Sequence, residues 1–217
     1  PSVNATEGSK TAVMLGDILY SKAFSSLVAF DREVARCVAE AVTALSVGEM
    51  QDVRMADTFN DDADTYMAML YNKTASLIEA SAKSAALLSG KDAGKYALYG
   101  KNLGLAFQII DDILDIVSDE ATLGKPALND YVEGKCTLPY IYLYEALEGE
   151  EKERLKSYHA KKLDDKESAW VKAKLEEHQC VGKSYMLARK LSDEAVAAVS
   201  DDAALVAIIE TMMERQY

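Results

Sequence analysis

Apolar residues recur along this chain at three- and four-residue intervals, and no strictly alternating run bounded by turn residues interrupts them. The spacing predicts helices over residues 11–30, 35–47, 64–89, 92–118, 171–192 and 202–216, with another starting near Thr137. Ala, Leu, Met, Glu and Lys fill these stretches, and all are good helix formers. Gly48 and Gly90 stand where the second and third helices should end. Thr137 followed by Pro139 suits a helix start, where a missing N–H does no harm. Residues 118–136 form a polar turn segment punctuated by Gly124, Pro126 and Gly134. From Glu148 the pattern turns charged and amphipathic. Helices joined by short connections make an antiparallel bundle, so the chain reads as all-α and as one domain over residues 1–217.

One stretch breaks the apolar pattern with chemistry. In GLAFQIIDDILD, residues 104–115, a helix turning about 100° per residue puts Gln108, Asp111, Asp112 and Asp115 on one stripe roughly 100° wide. Leu105, Ile109, Ile110, Ile113 and Leu114 fill the remainder. Three carboxylates crowded on an otherwise apolar helix repel one another and lose hydration, so something positive should sit among them. A solvated acidic face is the alternative, but such a face would carry Lys or Arg at i,i+4 spacing. Carboxylates with no nearby His or Cys favour Mg²⁺, which typically bridges a few carboxylates to substrate phosphates.

Composition narrows the partners. With 24 Lys and Arg against 36 Asp and Glu, the formal charge is −12. Such a chain repels nucleic acid and anionic lipid surfaces, yet metal ions can invert the charge locally and admit an anion. Cys37, Cys136 and Cys180 form no CxxC pair and read as free thiols in a reducing cytoplasm. His159 and His178 lie in polar stretches with no chemical pattern around them. No signal-peptide pattern opens the chain, and no apolar run approaches the ~20 residues of a membrane span.

An acidic protein that binds phosphate must place a few lysines deliberately. Lys73 lies inside an apolar helix, Lys125 just past the carboxylate helix, and Lys135 in the pair Gly134-Lys135. The flanking glycines permit the backbone angles that would turn Lys125 and Lys135 back towards the carboxylates.

These residues resemble the trans-polyprenyl diphosphate synthase family, in particular its octaprenyl and other long-chain types. The second aspartate-rich motif stands as Gln108, Asp111, Asp112 and Asp115, followed by Gly124-Lys125-Pro126, Asp130, Gly134-Lys135 and Thr137-Leu138-Pro139. Upstream, GDILYSKAF (16–24), GEMQD (48–52) and KTASL (73–77) are similar to three further motifs of that family, and PSVN (1–4) to the residues after its first aspartate-rich motif. That first motif and its paired arginines do not occur in the sequence. The resemblance implies an isoprenoid synthase-like bundle around a central cavity, incomplete at the N-terminus. The chain would be N-terminally truncated, the C-terminal two-thirds of that fold, and inactive alone.

The implied reaction condenses isopentenyl diphosphate with an allylic diphosphate such as farnesyl diphosphate, with Mg²⁺ as cofactor. Asp111, Asp112 and Asp115 would hold the metal, while Lys73, Lys125 and Lys135 would bind diphosphate. Thr74 and Gln108 would point oxygen dipoles at the allylic cation, and Asp130 would hold a lysine or a metal-bound water. Gly104 would leave room beside the carboxylates. The Lys-Thr-Ala form of the Lys-Thr motif points to a long product, such as a quinone side chain. Small residues Ala80, Ser81, Ser84 and Ala85 would line its tunnel, or else serve close helix packing. A homodimer joined through helix 11–30 and transient membrane contact on product release are also implied. The alternatives are a non-catalytic subunit of a heteromeric synthase and a class I terpene cyclase.

Overall fold

The computed structural model describes residues 1–117 and 128–214, and every regular element among them is helical. In chain order they are α1 (Val3–Leu27), α2 (Arg32–Ala56), α3 (Ala63–Leu70), a π-helical turn (Tyr71–Ala75), α4 (Ser76–Ser89), α5 (Ala93–Val117), α6 (Asn129–Val132), α7 (Leu138–Ala146), α8 (Gly149–Tyr158), α9 (Asp165–Glu177), α10 (Cys180–Ala198) and α11 (Ala203–Met213). No helix among the described residues is long and apolar enough to cross a membrane.

Helix α5 is the centre, packed between α4 and α10, with α2 on the far side of α4 and the π-turn. Its apolar stripe explains the position. Ile109 and Ile113 are 0% exposed, and Leu105, Ile110 and Ile116 are buried with them. Truncating either fully buried isoleucine to alanine would cost about 2–5 kcal/mol. Around this stripe Tyr66, Met69, Leu70, Tyr131, Leu138, Tyr140, Ile141 and Leu143 close one continuous core.

The helix ends show what local sequence can and cannot specify. Gly90 does cap α4, in the left-handed conformation at φ 68°. Gly48 ends nothing: α2 runs eight residues past it, to Ala56, and buries the glycine. A Cβ at Gly48 would lie 2.3 Å from the Lys73 backbone nitrogen, so the missing side chain serves a close helix approach. The expected helix over 171–192 is two helices, because Gln179 takes a left-handed backbone at φ 53° and turns the chain between α9 and α10. The helix expected over 64–89 widens to i→i+5 bonding at Tyr71–Ala75, and the first helix starts earlier and breaks at Gly8.

Two cysteines are sealed by this packing. Burial pushes the Cys136 thiol up to about 12 and the Cys180 thiol up to about 11. The thiolate is the nucleophile, so burial that disfavours it, and shields the sulfur from reagent, makes both thiols unreactive near pH 8. Iodoacetamide at pH 8 should therefore label Cys37 alone in the native protein, and all three after unfolding. Peptide mapping checks this.

Candidate active site

The carboxylate stripe of α5 faces a cavity of about 240 Å³ lined by Asp52, Tyr66, Met69, Leu70, Lys73, Gln108, Asp111, Asp112, Asp130, Lys135 and Thr137. Four carboxylates and two ammonium groups from α2, the π-turn, α5 and the segment around α6 thus share one space. The helix-wheel stripe is not uniform in depth: Asp111 is exposed, Asp112 buried and Asp115 half-buried. Asp112 accepts hydrogen bonds from Tyr66 Oη and, at 3.3 Å, from the Gln108 amide. Burial pushes its carboxyl well above the usual range; the Asp130, Asp115 and Asp52 charges add to this, and Lys135 opposes it. A cation beside it would pull it back down.

Asp115 stands beside the cavity and anchors the chain that returns to it. Its carboxylate accepts from the Asp130 N–H at 3.0 Å, and its carbonyl accepts from the Leu128 N–H at 3.1 Å. Asp130 in turn pairs with Lys135 at 3.0 Å, and Glu133 takes the same ammonium at 2.9 Å. Burial alone would lower the Lys135 ammonium, but these partners outweigh it and hold it well above the ordinary lysine value. Gly134 supplies the turn before it, at φ 88°, a conformation that favours glycine. Lys125 lies outside the described residues, with Gly124 and Pro126.

On the opposite wall, Lys73 pairs with Asp52 at 2.6 Å and approaches Glu49 at 3.8 Å. Thr74 donates to Gln108 Oε1 at 3.2 Å, so the π-turn fixes the amide that holds Asp112. Gly104 does not leave room beside the stripe. A Cβ there would meet Ala75 Cα at 2.6 Å, so α5 is pressed against the π-turn on this side. Asp52 and Thr137 stand in motifs of the sequence without a site role there, and Tyr66 stands in none. A lysine in an apolar helix implies an acidic partner, and Asp52 in GEMQD is that partner; nothing local singles out Tyr66, 46 residues before its own.

The donor set suits a hard cation: carboxylate oxygens, and no His or Cys in the lining. Among the described residues no three His, Cys, Asp or Glu side chains close around one point to hold a metal unaided. A hard cation bound here would draw its remaining oxygen ligands from water and substrate phosphates.

Next to Gln108, Phe107 opens onto a second, apolar groove of about 510 Å³ lined by Ile78, Leu103, Phe107, Ala204, Ala207, Ile208, Thr211 and Met212. The small residues of α4 are elsewhere. Ala80 is buried towards Cys37 of α2, Ser84 is buried too, and Ser81 and Ala85 are exposed. Close packing and solvent account for them, and from α4 the apolar groove takes Ile78 and none of these four.

Comparison with known proteins gives the fold and the family. The octaprenyl pyrophosphate synthase of Helicobacter pylori superposes with a TM-score of 0.91 at 41% identity, covering 99% of this chain and 71% of that one. A polyprenyl synthase from Caulobacter crescentus, solved with calcium and isoprenyl diphosphate, superposes with a TM-score of 0.85 at 26% identity, covering 99% and 69%. A chloroplastic/mitochondrial solanesyl diphosphate synthase of Arabidopsis thaliana is 42% identical over 66% of this chain and 35% of its own length. A short chain isoprenyl diphosphate synthase of Methanothermobacter thermautotrophicus is 36% identical over 71% of this chain and 50% of its own length. The chain thus spans half or less of these two curated relatives. The polyprenyl synthetase profile matches residues 1–176, and the chain belongs to that family.

Proposed function

We propose that this chain carries the metal-binding wall of a long-chain trans-polyprenyl diphosphate synthase, which condenses isopentenyl diphosphate with an allylic diphosphate. The observation that carries the reading is a polar cavity, with two lysines among four carboxylates, that adjoins an apolar groove one residue along the same helix. A prenyl diphosphate has the same polarity, an anionic head on a hydrocarbon tail. Similarity to octaprenyl and solanesyl synthases supports a long product.

When bound, Mg²⁺ supplies Lewis-acid neutralisation of a diphosphate leaving group. Asp111 and Asp112, which line the cavity, and Asp115 beside it would share such ions, one or two carboxylates to each, with Asp112 oriented by Tyr66 and Gln108. Lys73, Lys125 and Lys135 bind phosphate oxygens, and Asp130 keeps Lys135 in place. Thr74 and Gln108 are already bonded to each other, yet each oxygen retains a lone pair to face the allylic cation. Buried free thiols suit a reducing, cytoplasmic setting. The protein functions as a homodimer through α1, which buries none of its residues here and exposes Val13, Met14, Ile18, Leu19 and Tyr20 by more than half. A monomeric mass in sedimentation would remove the dimer.

One assay tests the reaction. The intact gene product is given Mg²⁺, farnesyl diphosphate and labelled isopentenyl diphosphate, and products are sized by chromatography. Label in a long prenyl chain is expected. An unlabelled cyclic hydrocarbon would mean a terpene cyclase, and no product a regulatory subunit.

A further inference from the structure

Three buried side-chain hydroxyls among the described residues have no hydrogen-bond partner: those of Ser84, Thr137 and Tyr140. Ser84 lies within α4, and Tyr140 is stacked on Tyr131 with ring centroids 4.4 Å apart; neither lines the polar cavity. Thr137 does line it, and is 3% exposed. An orphaned hydroxyl at the wall of a charged cavity calls for a ligand, because leaving such a group buried and unbonded is unfavourable.

The local backbone removes the ordinary explanation. Thr137 is the N-cap of α7, where a threonine hydroxyl commonly accepts from the second or third N–H of its helix. Here its side chain makes no capping bond. The second helical residue is Pro139, which has no N–H, and the Tyr140 N–H donates to the Thr137 carbonyl at 2.9 Å instead. The hydroxyl is therefore unused by the helix that it begins. Lys73 and Lys135 line the same cavity, and their carboxylate partners already hold both. A neutral donor at that wall can approach an anionic oxygen without breaking an ion pair.

We infer that the Thr137 hydroxyl is a substrate contact, donating a hydrogen bond to a phosphate oxygen of the diphosphate held between Lys73 and Lys135. The inference rests on the diphosphate reading of the site given above. It assigns Thr137 an unusual thermodynamic signature, since its hydroxyl destabilises the empty protein and is satisfied only by ligand.

The test uses the intact gene product and three variants, Thr137→Val, Thr137→Ser and Thr137→Ala. Melting is measured without ligand, and calorimetry follows Mg²⁺ alone and then inorganic pyrophosphate in saturating Mg²⁺. Thr137→Val, which keeps the shape and loses the hydroxyl, should melt at the wild-type temperature or about 2–4 °C above it. Its pyrophosphate affinity should fall roughly tenfold or more with Mg²⁺ binding unchanged, and Thr137→Ser should retain most of the affinity. Should Thr137→Val fail to fold, Thr137→Ala must show the same loss of affinity. Equal pyrophosphate affinity in the valine or alanine variant overturns the inference, as does a parallel loss of Mg²⁺ binding, which would assign the hydroxyl to metal-bound water. Wild-type protein that binds no pyrophosphate with Mg²⁺ would remove the diphosphate reading itself, and the inference with it.

Discussion

Asp111→Ala in the intact gene product lowers turnover at saturating Mg²⁺ by about a thousandfold or more, while the helical circular dichroism stays unchanged. The two halves of this result have separate causes. Asp111 is exposed on α5 and has no ion pair among the described residues, so its removal leaves no buried group stranded. It also relieves repulsion in a cavity where, among the described residues, carboxylates outnumber lysines. The native fold therefore loses nothing, and without metal it gains slightly. Turnover has no such compensation, because the neutralisation of the leaving group depends on carboxylates that face the cavity. Asp112→Asn is a poorer probe, since that side chain also satisfies the buried Tyr66 hydroxyl. Near-normal turnover of Asp111→Ala would take Asp111 out of the metal set.

What sequence could reveal follows from the range of the interactions. The helical period, the left-handed cap at Gly90 and the common stripe of Gln108, Asp111, Asp112 and Asp115 are set within one or two turns, and they could be read directly. The different depths of the three aspartates could not, because Tyr66 reaches Asp112 across 46 residues of chain. The π-turn at Tyr71–Ala75 shares the apolar spacing of an α-helix, so nothing in the pattern marks the extra residue. The break at Gln179 is equally silent, since neither glycine nor proline stands there to announce a left-handed turn. Gly48 was misread for a related reason. A glycine that ends a helix and a glycine that admits a neighbouring backbone look alike until the neighbour is in place.

Gly48→Ala separates those two roles of glycine, and its melting temperature should fall by roughly 6–12 °C. In an isolated helix the change would be favourable by about 1 kcal/mol, because alanine has the higher propensity. Here the new Cβ would lie 2.3 Å from the Lys73 nitrogen and 2.6 Å from its Cα, and backbone cannot swing aside as a side chain can. Helix α2 must back away from the π-turn, and the bonds that cross this seam stretch with it: Asn72 to Gln51 at 2.9 Å and Lys73 to Asp52 at 2.6 Å. Overpacking of this kind costs up to about 3 kcal/mol net, which at this chain length gives the stated shift. The built-in control is Gly182→Ala on α10, where a Cβ meets nothing within 4 Å. That variant should melt about 2–4 °C above wild type, since only the propensity gain remains. If scanning calorimetry finds the two substitutions shifting in the same direction, the close approach at Lys73 is not what Gly48 provides.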